Sequence, residues 1–413
     1  MSDIRPFPGL RPRPDVAAQV ASPPYDVLNS TEARQMAAEN PLSFLHVVKA
    51  EIDLPEDADL HGEAVYTKSA ENLHKLIDEG VLIQDSKPCF YVYRLKMGEH
   101  VQHGLVVGAS VDEYEKGLIK KHEFTRRAKE DDRARHVEVL QANAGPVLFT
   151  YKASDRVRDL VAGICRAGDA TYDFEAADGV VHSLWVVDEA ATIAEIQKAF
   201  AEVKALYVAD GHHRTASAFR VRNIMRDKNP KHTGDEAYNH FLAVVFPDDE
   251  LQIMGYNRVV RDLNGLDKQA FLDRVSEKFD LREDASAEPV GGGHFAMFLE
   301  GSWYGLVAKE GSFPADDPVR SLDAAILQEN LLAPVLGVAD PRSDERIDFV
   351  GGIRGAKELE KRCGEDMQVA FALYPVSVAQ LMAIADADAV MPPKSTWFEP
   401  KLRSGLVVRK ISD

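Results

Sequence analysis

The chain has 413 residues and a formal net charge of −18, because 67 acidic side chains outnumber 49 basic ones. The length fits two or three domains, and a composition of 45% hydrophobic and 28% charged residues indicates a folded globular protein. The acid excess argues against a broad nucleic-acid or anionic-membrane surface, since both need a dense basic face, but it is compatible with a local basic pocket.

The first part of the chain predicts a loop-rich start followed by helices. Many prolines among residues 4–25 disfavour regular helix there. A helix is predicted over residues 31–40, where Asn29 and Glu32 have the spacing of a capping box. A longer amphipathic helix is predicted over residues 59–79. Two strand patterns follow, and the short link between them predicts a hairpin.

The middle of the chain alternates between predicted strands and helices. Helices are predicted over residues 155–167 and 190–203, with a hairpin centred on Asp178 and Gly179 between them. The apolar run before Asp210 predicts a buried strand, and the residues after it predict a tight loop and then a helix.

The last part of the chain contains further strands, and residues 288–293 have the most linker-like composition. From residue 321 onward, predicted helices and strands alternate as in an α/β unit. The start of the chain has no apolar signal segment, and the cysteines are scattered, which is typical of buried thiols in a reducing compartment. Both observations predict a cytoplasmic location.

The strongest chemical motif is the run Asp210, Gly211, His212, His213 and Arg214, at the transition from strand to helix. A glycine turn at a helix start presents backbone N–H groups to an anion. An arginine suits phosphate oxygens, histidines add donors, and an aspartate can bind Mg²⁺ through oxygen. The alternative is a helix cap followed by a surface histidine pair, and we favour the phosphate-binding interpretation.

A second motif consists of His122 and Glu123, with Thr125 two positions after Glu123. Glu123 is a candidate general base for a hydroxyl, with His122 and Thr125 available to bind oxygens around it. The basic residues Lys129 and Arg133 follow closely. On spacing alone, the simpler explanation is a helix entry in which Thr125 caps a solvated charged helix.

Three further segments are weaker candidates. Lys394 follows two prolines and precedes two hydroxyl residues; it is a candidate phosphate ligand, although a rigid turn explains the segment equally well. The turn at residues 351–355 is a candidate anion site, but helix–strand packing is the simpler explanation. The rigid turn with Tyr25 and Asp26 is a candidate substrate contact, together with Lys129 and Arg133.

Several long segments resemble the bacterial and archaeal "domain of unknown function 1015" family in the same order along the whole chain. They include SPPYDVLN, YVADGHHRTASA and MPPKSTWFEPKLRSGL. Part of the chain also resembles, more distantly, the free-serine kinases of the ParB/sulfiredoxin-like superfamily, in which an LxPHExT segment precedes DGHHR. Residues 119–125 match the first segment with Lys121 in place of proline, and residues 210–214 match the second unchanged.

The kinase resemblance implies a fold, an activity and roles for the site residues. The fold is α/β with mixed sheets: a ParB/sulfiredoxin-like core with insertions over residues 1–255 and a second α/β portion over residues 256–413. The activity is phosphate transfer between ADP or ATP, with Mg²⁺, and the hydroxyl of free serine, or from O-phosphoserine in reverse. Glu123 is the expected base, and the turn at residues 210–214 the expected phosphate and metal site. We expect Lys394 to reach it from the second portion.

Two other functions remain open at this stage. A ParB-like nucleotide-binding regulator would lack small-molecule catalysis, but the charge of −18 opposes DNA binding and no helix-turn-helix signature is visible. A sulfiredoxin-like redox enzyme would need a reactive cysteine near the phosphate turn, whereas Cys89, Cys165 and Cys363 all lie far from it in sequence. A nucleotide and a small molecule, serine or phosphoserine, are therefore the expected partners, and neither nucleic acid nor a membrane is expected.

Overall fold

The computed structural model describes residues 2–412, which form two compact units. The first unit contains the residues up to Leu251 and those from Pro400 onward, and the second is Gln252–Glu399. The second unit is therefore inserted in the sequence of the first. The boundary predicted from the sequence lies after residue 255 and places the last segment in the second portion.

The last segment belongs to the first unit because it pairs with residues from the start of the chain. Val408 forms a bridge with Leu10, and Ser404 forms one with Ser22. Such pairing between distant parts of a chain leaves no local pattern in the sequence, so hydrophobic periodicity does not reveal it.

The strands of the first unit are β1 (Ile4–Arg5), β2 (Leu10–Pro12), β3 (Leu82–Gln84), β4 (Phe90–Met97), β5 (His100–Ser110), β6 (Ile119–Lys120), β7 (Ala142–Asn143), β8 (Val147–Tyr151), β9 (Tyr172–Glu175), β10 (Val181–Val187), β11 (Leu206–Asp210), β12 (His240–Pro247) and, near the end of the chain, β21 (Arg409–Lys410). Those of the second unit are β13 (Gln252–Met254), β14 (Tyr256–Val260), β15 (Phe279–Arg282), β16 (His294–Leu299), β17 (Ser302–Ala308), β18 (Ile347–Gly351), β19 (Val369–Leu373) and β20 (Trp397–Glu399).

The α-helices of the first unit are α1 (Ala17–Val20), α2 (Ser30–Ala37), α3 (Leu45–Val48), α4 (Glu63–Asp78), α5 (Val111–Glu115), α6 (Arg127–Leu140), α7 (Asp155–Ala167), α8 (Ala190–Phe200) and α9 (His212–Lys228). Those of the second unit are α10 (Lys268–Ser276), α11 (Asp323–Leu327), α12 (Gly355–Glu365) and α13 (Val378–Asp386). In the described part of the chain, no helix is long and apolar enough to cross a bilayer.

A nine-stranded mixed sheet forms the centre of the first unit. Its order is β6-β11-β8-β12-β5-β4-β10-β9, with β1 added alongside β5. Strand β12 is buried at all eight of its residues, as expected for an apolar run in the middle of a sheet. Gly104 on β5 allows close packing, because a Cβ there would lie 2.5 Å from the ring of Phe246. Each buried phenylalanine of this core contributes roughly 1.5–3 kcal/mol of burial free energy.

The second unit contains a six-stranded sheet in the order β15-β17-β16-β19-β14-β18. All of its strand pairs are antiparallel. The sequence predicted an alternating α/β unit here, which usually implies parallel strands. The mixed α/β class predicted for the whole chain is confirmed, and the sheet of this unit is of the antiparallel kind.

Local signals in the sequence located most of the helices. The capping box of α2 forms as predicted, since Asn29 Oδ1 accepts from the N–H of Glu32 and the Glu32 carboxylate accepts from the N–H of Asn29. Helix α7 has the predicted bounds, whereas α4 begins at Glu63, four residues later than predicted, and α8 ends three residues earlier.

Candidate functional site

Two motifs that are distant in sequence meet because the strands before them are neighbours. Strand β6 pairs with β11 in parallel, with Ile119 opposite Leu206 and Lys120 opposite Tyr207. The carboxyl ends of parallel neighbours lie at one edge of a sheet, so the residues that follow each strand come together there. This pairing brings the His122 motif beside the turn that begins at Asp210.

The turn after β11 places a glycine with a positive φ at the start of a helix. Gly211 has a φ of +98°, a conformation that glycine adopts at low cost, and it directly precedes the 17-residue helix α9. The first N–H groups of a helix lack partners within the helix, and its dipole is positive at this end. A Cβ at Gly211 would lie 3.1 Å from Nε of Arg214 and 3.2 Å from Val147, so the site requires glycine for space as well.

Asp210 is held between two cationic groups. Its Oδ2 lies 3.5 Å from the ammonium of Lys401 and 3.9 Å from Nη2 of Arg214. Burial alone would raise the pKa of Asp210, but the charges of Lys401 and Arg214 outweigh it and hold the pKa well below its usual value. Asp210 is therefore ionised at neutral pH, and 34% of its side chain remains exposed to a ligand.

Arg214 is fixed by two further contacts. Its Nη1 donates to the carbonyl of Pro146 at 2.7 Å, and its Nη2 lies 3.5 Å from the Asp26 carboxylate. Burial would lower the pKa of Arg214, but Asp26 and Asp210 raise it, so the guanidinium stays charged although only 11% of the side chain is exposed. The predicted residues Asp26, Asp210 and Arg214 thus form one charged cluster.

A buried histidine pair lies beside this charged cluster. His122 is 1% exposed and His212 is 7% exposed, and their rings meet edge to face with centroids 4.4 Å apart. Burial lowers the pKa of His122 to about 4, against the opposing effects of Asp210 and the backbone of Val208. Burial and the neighbouring His122 lower the pKa of His212 well below its usual value. Both rings are therefore neutral at pH 7.

Glu123 extends this pair to three candidate metal ligands. One ligand atom each from His122, Glu123 and His212 lie within 4.8 Å of one another. The sequence predicted Asp210 as the metal ligand and Glu123 as the base. The sequence predicted that His122 would bind oxygens around Glu123 and that His212 would bind phosphate. It did not predict that ring nitrogens of both histidines would lie close to the Glu123 carboxylate.

The remaining members of the two motifs lie nearby. The Thr125 hydroxyl donates to the Glu130 carboxylate within the entry to α6. Nε2 of His213 accepts a hydrogen bond of 3.1 Å from the backbone N–H of Arg126. The bond between Arg126 and His213 joins the segment after β6 to the start of α9.

All four residues that the sequence assigned to substrate binding line one cavity of about 340 Å³: Tyr25, Asp26, Lys129 and Arg133. The Arg133 guanidinium carbon lies 4.3 Å from the centre of the Tyr25 ring, and that of Arg214 lies 5.9 Å from the same ring. Burial and the Asp26 charge raise the pKa of Tyr25 to about 12, so its hydroxyl stays protonated.

One site residue was missed, and it is a lysine. The sequence assigned the phosphate contact of the C-terminal segment to Lys394, which belongs to the second unit, where its ammonium lies 5.4 Å from the centre of the Tyr256 ring. Lys401 belongs to the first unit and contacts Asp210. Its only sequence signal was a second lysine soon after the proline–lysine turn. The contact of Lys394 with phosphate stays a prediction.

Comparisons with known proteins give a family and several distant structures. A family model described as "Protein of unknown function (DUF1015)" matches residues 4–325. No curated protein matches the sequence.

The similar solved structures share little sequence with this chain. A conserved hypothetical protein from Pyrococcus furiosus is 14% identical, with a TM-score of 0.36, covering 74% of this chain and 95% of that one. A free serine kinase in complex with AMP is 11% identical, with a TM-score of 0.37 and coverage of 73% and 91%. SbnI from Staphylococcus aureus, truncated at its C-terminus, is 12% identical, with a TM-score of 0.38 and coverage of 74% and 87%. These TM-scores are too low to support a functional argument.

Proposed function

The chain belongs to the DUF1015 family, and we propose that it transfers a phosphoryl group between a nucleotide and the hydroxyl of free serine. The observation that carries the proposal is the parallel pairing of β6 with β11, which brings the two kinase-like motifs to one edge of the sheet. In the reverse direction, O-phosphoserine would be the phosphoryl donor.

The turn at Gly211 is suited to the phosphates of ADP or ATP. Backbone N–H groups at the start of α9, the Arg214 guanidinium and the Lys401 ammonium supply positive charge and hydrogen-bond donors. Phosphoryl transfer depends mainly on positioning and on neutralising the phosphate charge, so this set of groups serves it directly. The basic groups are local, which reconciles phosphate binding with an acidic chain.

Mg²⁺ fits this arrangement with Asp210 as its protein ligand. The ion prefers oxygen ligands and usually keeps several waters and phosphate oxygens, so one ionised, partly exposed carboxylate is sufficient. When bound with the nucleotide, Mg²⁺ would neutralise phosphate charge. The contacts of Asp210 with Lys401 and Arg214 would orient its carboxylate for this role.

Glu123 is proposed as the base that accepts the serine hydroxyl proton. The proton would pass from serine Oγ to the Glu123 carboxylate as Oγ bonds to the terminal phosphorus and the bond from that phosphorus to the bridging nucleotide oxygen breaks. The cavity with Tyr25, Lys129 and Arg133 has room for the substrate, and its cationic groups suit a carboxylate or a phosphate.

The test is a phosphate-transfer assay with the full chain, Mg²⁺, ADP, ATP or CTP, and a panel of free amino acids, with products identified by mass. We expect phosphoserine from serine and no product from alanine. Glu123→Gln should lower turnover at least about a hundredfold while nucleotide binding persists, and Glu310→Gln, which changes an exposed glutamate in the second unit, should leave both unchanged.

Two results would contradict the proposal. Retained turnover in Glu123→Gln would remove Glu123 as the base. Nucleotide binding without transfer to any amino acid would favour the alternative of a ParB-like regulator without small-molecule catalysis.

A further inference from the structure

The rings of His122 and His212, beside the turn at residues 210–214, have nitrogens that could bind a metal ion. Nδ1 and Nε2 of His122 and Nε2 of His212 are buried, and none makes a hydrogen bond of normal geometry with any residue between 2 and 412. Buried ring nitrogens are usually hydrogen-bonded, and an exception calls for a specific explanation such as a bound ion or water.

The third ligand is a carboxylate that follows His122 directly in the chain. Ligand atoms of His122, Glu123 and His212 lie within 4.8 Å of one another. A tetrahedral ion with ligands at about 2.0 Å places its donor atoms about 3.3 Å apart, so small side-chain movements would close the site. The pairing of β6 with β11 and the rigid start of α9 hold the two histidines on a stable framework.

We infer that His122, Glu123 and His212 bind one divalent transition-metal ion. Two imidazoles and one carboxylate suit Zn²⁺, Mn²⁺, Fe²⁺ or Co²⁺ and are a poor set for Mg²⁺, which prefers oxygen. Three protein ligands leave further coordination positions for water or a substrate oxygen. This ion is separate from the Mg²⁺ that the proposed function assigns to Asp210, and the inference does not depend on phosphate transfer.

A neutral imidazole keeps a lone pair that can bind a metal ion, and the two rings lie edge to face with centroids 4.4 Å apart. The carboxylate of Glu123 has two oxygens. One can bind the ion while the other accepts a proton, so the metal role and the proposed base role are compatible.

The experiment measures metal binding by the full chain without nucleotide or serine. Protein stripped with a chelator is titrated with Co²⁺, followed by visible absorption, and then with Zn²⁺ in competition. We expect one ion per chain. His122→Gln and His212→Gln should each weaken binding at least about tenfold. His74→Gln, which changes an exposed histidine on α4, should leave binding unchanged.

A second measurement covers the case in which the buried variants fail to fold. X-ray absorption at the zinc edge of the wild-type protein should show two imidazole ligands, and Glu123→Gln should weaken Co²⁺ binding. The inference is overturned if wild-type protein binds neither ion, if folded His122→Gln and His212→Gln bind as tightly as wild type, or if the zinc spectrum shows no imidazole. Since no phosphate donor is present, these results are independent of the transfer assay.

Discussion

The ammonium group of Lys401 lies 3.5 Å from the carboxylate of Asp210, although 191 positions separate the two residues in the chain. This pair joins the phosphate turn to the C-terminal segment of the first unit. Lys401→Met should therefore weaken nucleotide binding about tenfold, because it removes one of the cations at the proposed phosphate site. Calorimetric titration with ADP measures this loss. Lys116→Met, which changes an exposed lysine of the same unit, is the control, and equal affinities in the two variants would contradict the assignment.

Replacement of Gly211 by alanine should lower both the unfolding free energy and the affinity for ADP, and a second glycine variant separates the two effects. Gly211→Ala places a Cβ at a φ of +98° and within 3.1 Å of the Arg214 side chain. Gly234 has a φ of +99° and open space around it, so Gly234→Ala isolates the backbone cost. Both variants should lose roughly 1–2 kcal/mol of unfolding free energy. Only Gly211→Ala should also lose affinity for ADP, and unchanged affinity there would argue against phosphate binding at this turn.

The Tyr25 ring should matter more than its hydroxyl. Two guanidinium groups lie over the ring, at 4.3 Å for Arg133 and 5.9 Å for Arg214, and each such contact contributes about 0.5–2 kcal/mol. Tyr25→Ala should release both arginines and weaken nucleotide or substrate affinity about tenfold. Tyr25→Phe keeps the ring and should bind like wild type. A loss of equal size in Tyr25→Phe would show that the hydroxyl is the essential group.

The first unit should lose stability in mild acid through His182. The ring is buried between Tyr93, whose hydroxyl lies 2.7 Å from Nδ1, and Arg403, whose Nε donates to Nε2 at 3.1 Å. Burial and the Arg403 charge lower the pKa of His182 to about 3. The folded state therefore keeps His182 neutral, whereas the unfolded chain takes up a proton below pH 6.5.

The stabilising contribution of His182 is thus complete above about pH 6.5 and is lost as the pH falls toward 3. Between these values, the unfolding free energy should drop by about 1 kcal/mol per pH unit on account of this residue. Denaturant unfolding of wild type and His182→Gln at pH 7, 6 and 5 measures the difference. The variant should be less stable at pH 7 and show the shallower decline. Parallel pH profiles would exclude His182 as a source of acid sensitivity.

The sequence predicted the local features of the fold well because caps, glycine turns and apolar runs act over a few residues. The capping box formed by Asn29 and Glu32 and the bounds of helix α7 are two local features that were predicted correctly. The two main motifs of the site were also visible, since each is a short run of residues that carry chemistry. Their separation in space could not be predicted, because it is determined by the pairing of β6 with β11.

The features that the sequence analysis missed all depend on contacts between distant parts of the chain. The place of Lys401 depends on the C-terminal segment pairing with residues near the start. The meeting of His122 with His212 depends on two parallel strands, one of them only two residues long. A two-residue strand has too little periodicity to be recognised in a sequence.

The interruption of the first unit by the second has a consequence for how the protein is made. A ribosome synthesises Asp210 long before Lys401, and the whole of Gln252–Glu399 emerges between them. A nascent chain therefore carries the phosphate turn without its lysine until the segment after Pro400 has left the exit tunnel. On this account, a nascent chain that does not yet contain Lys401 would bind the proposed nucleotide more weakly than one in which Lys401 contacts Asp210.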